Sequence, residues 1–212
     1  MAIRLSKVDD LTRPDHFFLE PEDQCFYLGE YTARKGFTFS PTNNLINNLK
    51  KPMDRKGKPE WYFKTQAVEE AGRMLRESID AVNPNWLIKA TLVPIPPSKV
   101  KGDPDYDDRL MGILHRLARG IHVDIREMVL QRQNMPAAHG TTTRPRLAAL
   151  ASNYIIDENL SDPKPSVIGI IDDVLTSGVH FKAVQQVLHT RFPDVPTYGF
   201  FIARRIPDTS DV

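Results

Sequence analysis

The stretch Val167-Ile168-Gly169-Ile170-Ile171-Asp172-Asp173-Val174-Leu175-Thr176-Ser177-Gly178 joins an apolar run to two carboxylates and then to a small polar loop. The run has the length and Val/Ile content of a buried parallel strand. Open α/β sheets hold their ligands at the C-terminal ends of such strands. At that end Asp172 and Asp173 can accept hydrogen bonds from vicinal hydroxyls, while Thr176, Ser177 and Gly178 offer hydroxyls and free backbone N–H groups at a helix start. A phosphorylated ribose matches both halves. A purely structural reading has the acids close a strand and Thr176 or Ser177 cap the next helix. Two adjacent buried carboxylates repel and lose hydration, so a fold gains nothing from both unless each has a partner, and this favours ligand binding.

The flanking sequence alternates helix and strand. His180 to Leu188 reads as an amphipathic helix, Asp194 to Pro196 as a turn and TYGFFIA as a last buried strand. Upstream, KTQAVEEAGRMLRESIDAV spaces Ala67, Ala71, Met74, Leu75, Ile79 and Val82 as one helical face. WLIKATLVPIPPSK reads as a strand that stops at Pro94, Pro96 and Pro97, because proline cannot donate to a central ladder. RLMGILHRLARGI is a helix through Leu110, Ile113, Leu114 and Leu117 that Gly120 can end, and REMVLQRQ is a short strand. Gln133 to Pro145 has little apolar content and reads as a long loop of the kind that forms lids. Near the N-terminus, Phe17-Phe18 and CFYLGEYT have strand texture, and Ser40 or Thr42 can cap a short helix. The expected fold is α/β, a mostly parallel central sheet with helices on both faces. Residues 1–63 are expected to form an N-terminal hood, 64–205 the core and 206–212 a tail.

Composition narrows the partners. The 212 residues carry 28 Lys and Arg against 27 Asp and Glu, a net charge of +1, so bulk charge draws the chain to neither nucleic acid nor membrane and any polyanion site must be local. A single cysteine, Cys25, can build neither an internal disulfide nor a cysteine-rich zinc site. The opening MAIRLSKVDD has no apolar signal region and no segment reaches the roughly 18 apolar residues of a membrane span. The chain is expected to be cytoplasmic.

IIDDVLTSG followed by a helix resembles the ribose-phosphate signature of type I phosphoribosyltransferases, which bind 5-phosphoribosyl 1-diphosphate (PRPP). LVPIPPSK, PDYDDRLMGILHRLA and LQRQNMPAAHGTTTRPRLAALASN resemble successive segments of the ComF-like branch of that family, and YTARKGF with NNLINNLKK resembles its hood. The resemblance spans about residues 25 to 205. It implies that Asp172 and Asp173 hold the ribose 2- and 3-hydroxyls, and with them Mg²⁺. Backbone and side chains of Val174, Leu175, Thr176, Ser177, Gly178, Val179 and His180 would wrap the 5-phosphate, and Pro97, Ser98 and Lys99 the diphosphate. Arg132, Arg144 and Arg146, with His139, would lie on a catalytic lid, where cations stabilise the departing diphosphate and exclusion of water protects the oxocarbenium-like ribose. The branch's zinc ribbon is missing here, so no zinc is expected. Val179-His180 stands where the family has Ala-Thr, and Asp103 to Asp108 is acidic where the family has a cation; Asp107 or Asp108 there could reach the Mg²⁺ of the diphosphate.

The implied activity is that of a Mg²⁺-dependent pentosyltransferase of nucleotide metabolism, moving the 5-phosphoribosyl group from PRPP to a small-molecule acceptor, a nitrogen nucleophile, with release of diphosphate. The alternative keeps the pocket without turnover: a PRPP- or nucleotide-sensing module acting through a protein partner, with a homodimer and a nucleic acid partner both left open. The stretch KKPMDRKGKPEWYFKTQ, basic with interleaved aromatics, is the best candidate surface for such a partner, while the plainer reading, an exposed loop with Trp61 tucked into the core, is the favoured one. No GxxxxGK[ST] loop is present, and the acidic pair sits on the penultimate strand, which argues against a P-loop enzyme and a phospho-acceptor domain.

Overall fold

The computed structural model describes residues 4–135 and 147–207. In chain order its regular elements are strands β1 (Ser6–Lys7) and β2 (Gln24–Thr32), helices α1 (Pro41–Leu49), α2 (Trp61–Val82) and α3 (Trp86–Lys89), strand β3 (Thr91–Pro94), helix α4 (Arg109–Leu117), strands β4 (Asp124–Ile125) and β5 (Val129–Gln131), helix α5 (Leu147–Asn153), strands β6 (Tyr154–Ile156) and β7 (Ile168–Leu175), helix α6 (Val179–Arg191) and strand β8 (Thr197–Ile206). Six strands form one sheet in the order β1-β2-β8-β7-β3-β4. Every pair is parallel except β1 with β2. This is the mixed α/β architecture expected, with a mostly parallel sheet between two helical layers.

One layer packs α1, α2 and α4 on the sheet through Ile46, Leu49, Ala71, Leu75, Ile113 and Leu114. The other packs α6 and α5 through Phe181, Val184, Leu188 and Leu150. The chain therefore runs from β3 through α4 to β4 on one side, then returns to β7 and runs through α6 to β8 on the other side. The neighbouring strands β3 and β7 mark the point where winding reverses, and between the helices that follow two such strands a crevice opens at their C-terminal ends.

Local chemistry explains most boundaries. Ser40 Oγ accepts from Asn43 N at 3.0 Å and Pro41 opens α1, a standard N-terminal pairing. Residues 24–32, from the segment expected as a hood, form β2 and pair along most of β8. Phe17-Phe18, expected as strand, lies in a turn after the 3-10 helix Arg13–His16. The strand expected from Trp86 starts only at Thr91, because Trp86–Lys89 forms a helical turn that lays the Trp86 ring 4.8 Å from Phe200 and against Gly169. That arrangement buries Leu87 while Ile88 faces solvent. β5 and β6 pair only with each other, antiparallel and outside the main sheet. Among the described residues no helix is long and apolar enough to cross a membrane.

Candidate functional site

A cavity of about 510 Å³ opens at the ends of β3 and β7. Pro94 to Ser98 line one side, Asp172 to Thr176 with Gly178 and His180 the other, and Lys50, Asp107 and Arg109 close it from α1 and α4. Winding reversal thus gathers the proline-ended strand and the acidic strand end at one place.

The β7 ladder continues through Leu175, so both acids lie inside the strand rather than beyond it. Adjacent strand residues point to opposite faces, and the two carboxylates meet different surroundings. Asp173, 3% exposed, takes the Arg109 guanidinium at 2.8 Å through both Nε and Nη2 and the Lys50 ammonium at 3.4 Å. Burial works to raise its pKa, but Arg109 and Lys50 outweigh burial and hold the carboxyl well below the usual carboxylate range. Asp172 has the Asp173 backbone N–H at 2.8 Å and, among the described residues, no salt bridge. Burial first, and the Asp173 charge second, push it up to about 7 against the pull of Lys50.

The pairing extends further. Asp107 accepts from Arg109 at 2.7 Å and from Lys64 at 2.6 Å, and Lys64, 4% exposed, also donates to the Lys51 carbonyl at 2.8 Å. Burial pulls the Lys64 ammonium down while Asp107 holds it up. Arg109, although burial disfavours its charge, is held above its ordinary value by Asp173 and Asp107. Lys50, Asp173, Arg109, Asp107 and Lys64 therefore form a row of alternating charges, all but Lys64 lining the cavity. In the acidic turn Asp107 is engaged by two cations and Asp103 by Asn134 Nδ2 at 2.7 Å and the Asp105 N–H at 2.8 Å, while Asp108 lines the cavity.

The polar loop after β7 is clamped from behind. His16, fully buried, donates from Nδ1 to the Thr176 carbonyl, and Phe18 N donates to the Ser177 carbonyl at 3.0 Å. In a trans peptide the N–H points opposite to its C=O, so the Ser177 and Gly178 N–H groups face away from this strap. Gly178 has φ +86°, and a Cβ there would stand 2.9 Å from Leu19 Cδ2. Only glycine makes this turn against Leu19. The loop thus presents backbone donors at the start of α6, where an anion is favoured. His180 takes Tyr154 Oη on Nδ1 at 3.0 Å. Burial lowers the pKa of His180 and raises that of Tyr154, so both are favoured in their uncharged forms.

The remaining expected residues scatter. Pro97 and Ser98 line the cavity, whereas Lys99 and Ser177 are not among its lining residues. Arg132 is exposed beside a shallow groove with Tyr154 and Glu158. His139, Arg144 and Arg146 lie outside the described residues. Arg109, Lys50, Lys64 and His16 are site components that sequence reasoning missed.

Among the described residues no group of three or more His, Cys, Asp or Glu could hold a metal ion. The donor set still suits one class of cation. Mg²⁺ commonly binds through one or two carboxylates together with waters and substrate phosphates, and Asp172 is a carboxylate that lines the cavity.

No protein-family model matches the chain, and no curated protein matches it. Among solved structures, the chain is similar to a hypoxanthine phosphoribosyltransferase from Staphylococcus aureus, with a TM-score of 0.37 and 16% identity over 66% of this chain and 75% of that one. A likeness that distant assigns no role, and the functional reading rests on the site.

Proposed function

We propose that the chain binds PRPP in this cavity and transfers its 5-phosphoribosyl group to a nitrogen nucleophile of a small acceptor, releasing diphosphate. The observation that carries the reading is the joint lining of one cavity by Asp172 and the glycine-turned loop at the start of α6, opposite the Pro94 to Ser98 loop. In this reading the Gly178 N–H and the Thr176 hydroxyl, both at the cavity, hold the 5-phosphate. Asp172 accepts from ribose hydroxyls, and Asp173 keeps Arg109 and Lys50 positioned at the wall. Lys50 and the Pro97 to Ser98 loop face the diphosphate end, where negative charge grows as the C1–O bond breaks and the C1–N bond forms. Asp172, with Asp173 behind it, would hold Mg²⁺, which when bound neutralises diphosphate charge. The enclosing walls limit water at an oxocarbenium-like ribose.

One observation favours a second reading, a sensor that binds PRPP without consuming it: Asp173 is already engaged by two cations and offers a ligand little. Titration calorimetry with PRPP and Mg²⁺, followed by diphosphate release with a panel of amines and bases, separates the readings. Binding with sustained release supports transfer, binding without release supports sensing, and no binding to the parent chain defeats both.

A further inference from the structure

A second surface lies outside the cavity, across the loop before α1 and the approach to α2. Residues 34–66 hold eight Lys and Arg against two Asp and Glu, in a chain whose total net charge is only +1. The same segment exposes four aromatic rings, Phe37 at 46%, Phe39 at 55%, Tyr62 at 62% and Phe63 at 54%. Neither hydrophobic core contains them.

The rings and cations are interleaved in space as well as in sequence. The Lys51 ammonium sits 4.9 Å from the Phe37 ring centroid and 5.5 Å from that of Phe63, so one cation bridges two rings from different elements. Tyr62 packs edge-on to Phe63 at 5.7 Å, and Lys35 lies 5.7 Å over Phe39. Exposed rings separated by cations at ring level differ from a membrane-seeking surface, which segregates an apolar face from a cationic one. They match a strand whose bases are unpaired: bases stack on ring faces and phosphates meet the lysines between them.

We infer that Phe37, Phe39, Lys51, Tyr62 and Phe63 form a binding surface for single-stranded nucleic acid. The inference is independent of the reaction proposed for the cavity. Its charge is local, which is why the balanced composition hides it. A duplex has no free base faces for the rings and binds more weakly at equal charge.

The test is fluorescence anisotropy of the whole chain with a labelled oligouridylate of about 12 nucleotides, inside the range that one such surface covers. Binding should fall with salt, and a hairpin duplex of the same charge should bind less tightly. Phe37→Ala with Phe63→Ala should weaken binding about tenfold or more while circular dichroism and the melting temperature stay unchanged. Lys51→Gln should flatten the salt dependence by about one phosphate contact. The inference is overturned if the oligonucleotide fails to bind at low salt, or if heparin and oligouridylate bind equally and both ignore the ring substitutions. It is also overturned if the ring substitutions abolish only binding to anionic vesicles or self-association in sedimentation.

Discussion

Burial and a neighbouring carboxylate both act on the proton of Asp172. Its ordinary pKa is 3.8 and the folded value is about 7. As pH rises from about 4 the unfolded chain gives up this proton first, so the residue's favourable contribution is present below pH 4 and is withdrawn by about pH 7. Asp172→Asn removes that penalty. At pH 8 the variant should melt about 2–4 °C above the parent, what ~1 kcal/mol is worth in a chain of this size, and by pH 4 the two should melt alike in a calorimetric scan. The same variant should lose PRPP binding, separating stability from function. His16 makes the complementary point, because it never reaches the cavity. His16→Leu removes the donor that turns the Thr176 carbonyl and should weaken PRPP binding about five- to tenfold, as expected for one hydrogen bond, whereas His16→Asn offers an amide N–H in the Nδ1 position and should restore most of it. Calorimetric titration reads both.

At the scale of elements, the site depends on how closely α2 and α4 cross. A Cβ on Gly72 would stand 2.6 Å from the Ile113 carbonyl oxygen and 2.6 Å from Arg116 Cβ, so glycine sets the spacing that brings Lys64 of α2 to Asp107 just before α4. Gly72→Ala gains about 1 kcal/mol of helix propensity but should lose more to the clash, for a net cost of about 1–2 kcal/mol in urea denaturation. Ligand binding should fall with it, since Arg109 rides on α4. The elements also divide by legibility. β7 and α6 were readable because a buried parallel strand writes a long Val/Ile run and its acids interrupt that run. Arg109 was not, because its partner Asp173 is 64 residues away and ion pairing leaves no local pattern. Lys64 did carry a signal: it occupies the apolar stripe that Ala67 and Ala71 continue, a position where a lysine is costly unless paired. Trp86–Lys89 misled in the other direction, since a short apolar run has the same composition as a strand or a helical turn.

Over the whole molecule, the residues that act on the loop after β7 come from distant parts of the chain. Residues 16–23 reach the loop through His16 and Phe18 and reach α6 through Asp23, which meets Lys182 at 2.9 Å and Gln185 at 3.0 Å. Next to this strap, Gln24–Thr32 pairs with Thr197–Ile206. The parallel β2–β8 pairing also carries a consequence in time. During synthesis β2 is made early and then lacks its principal sheet neighbour until residues 197–206 have been translated, leaving Cys25, Phe26 and Leu28 without their native cover. Closure of a loop that long is slow, and an unpaired strand edge meanwhile invites wrong partners. Nascent chains stalled before residue 197 should therefore be cut by protease within residues 24–32, and chains whose β8 has left the ribosome should resist. The strap on the loop after β7 would then be among the last parts of the molecule to engage, so a half-made chain would carry the acids of β7 beside an unfinished pocket.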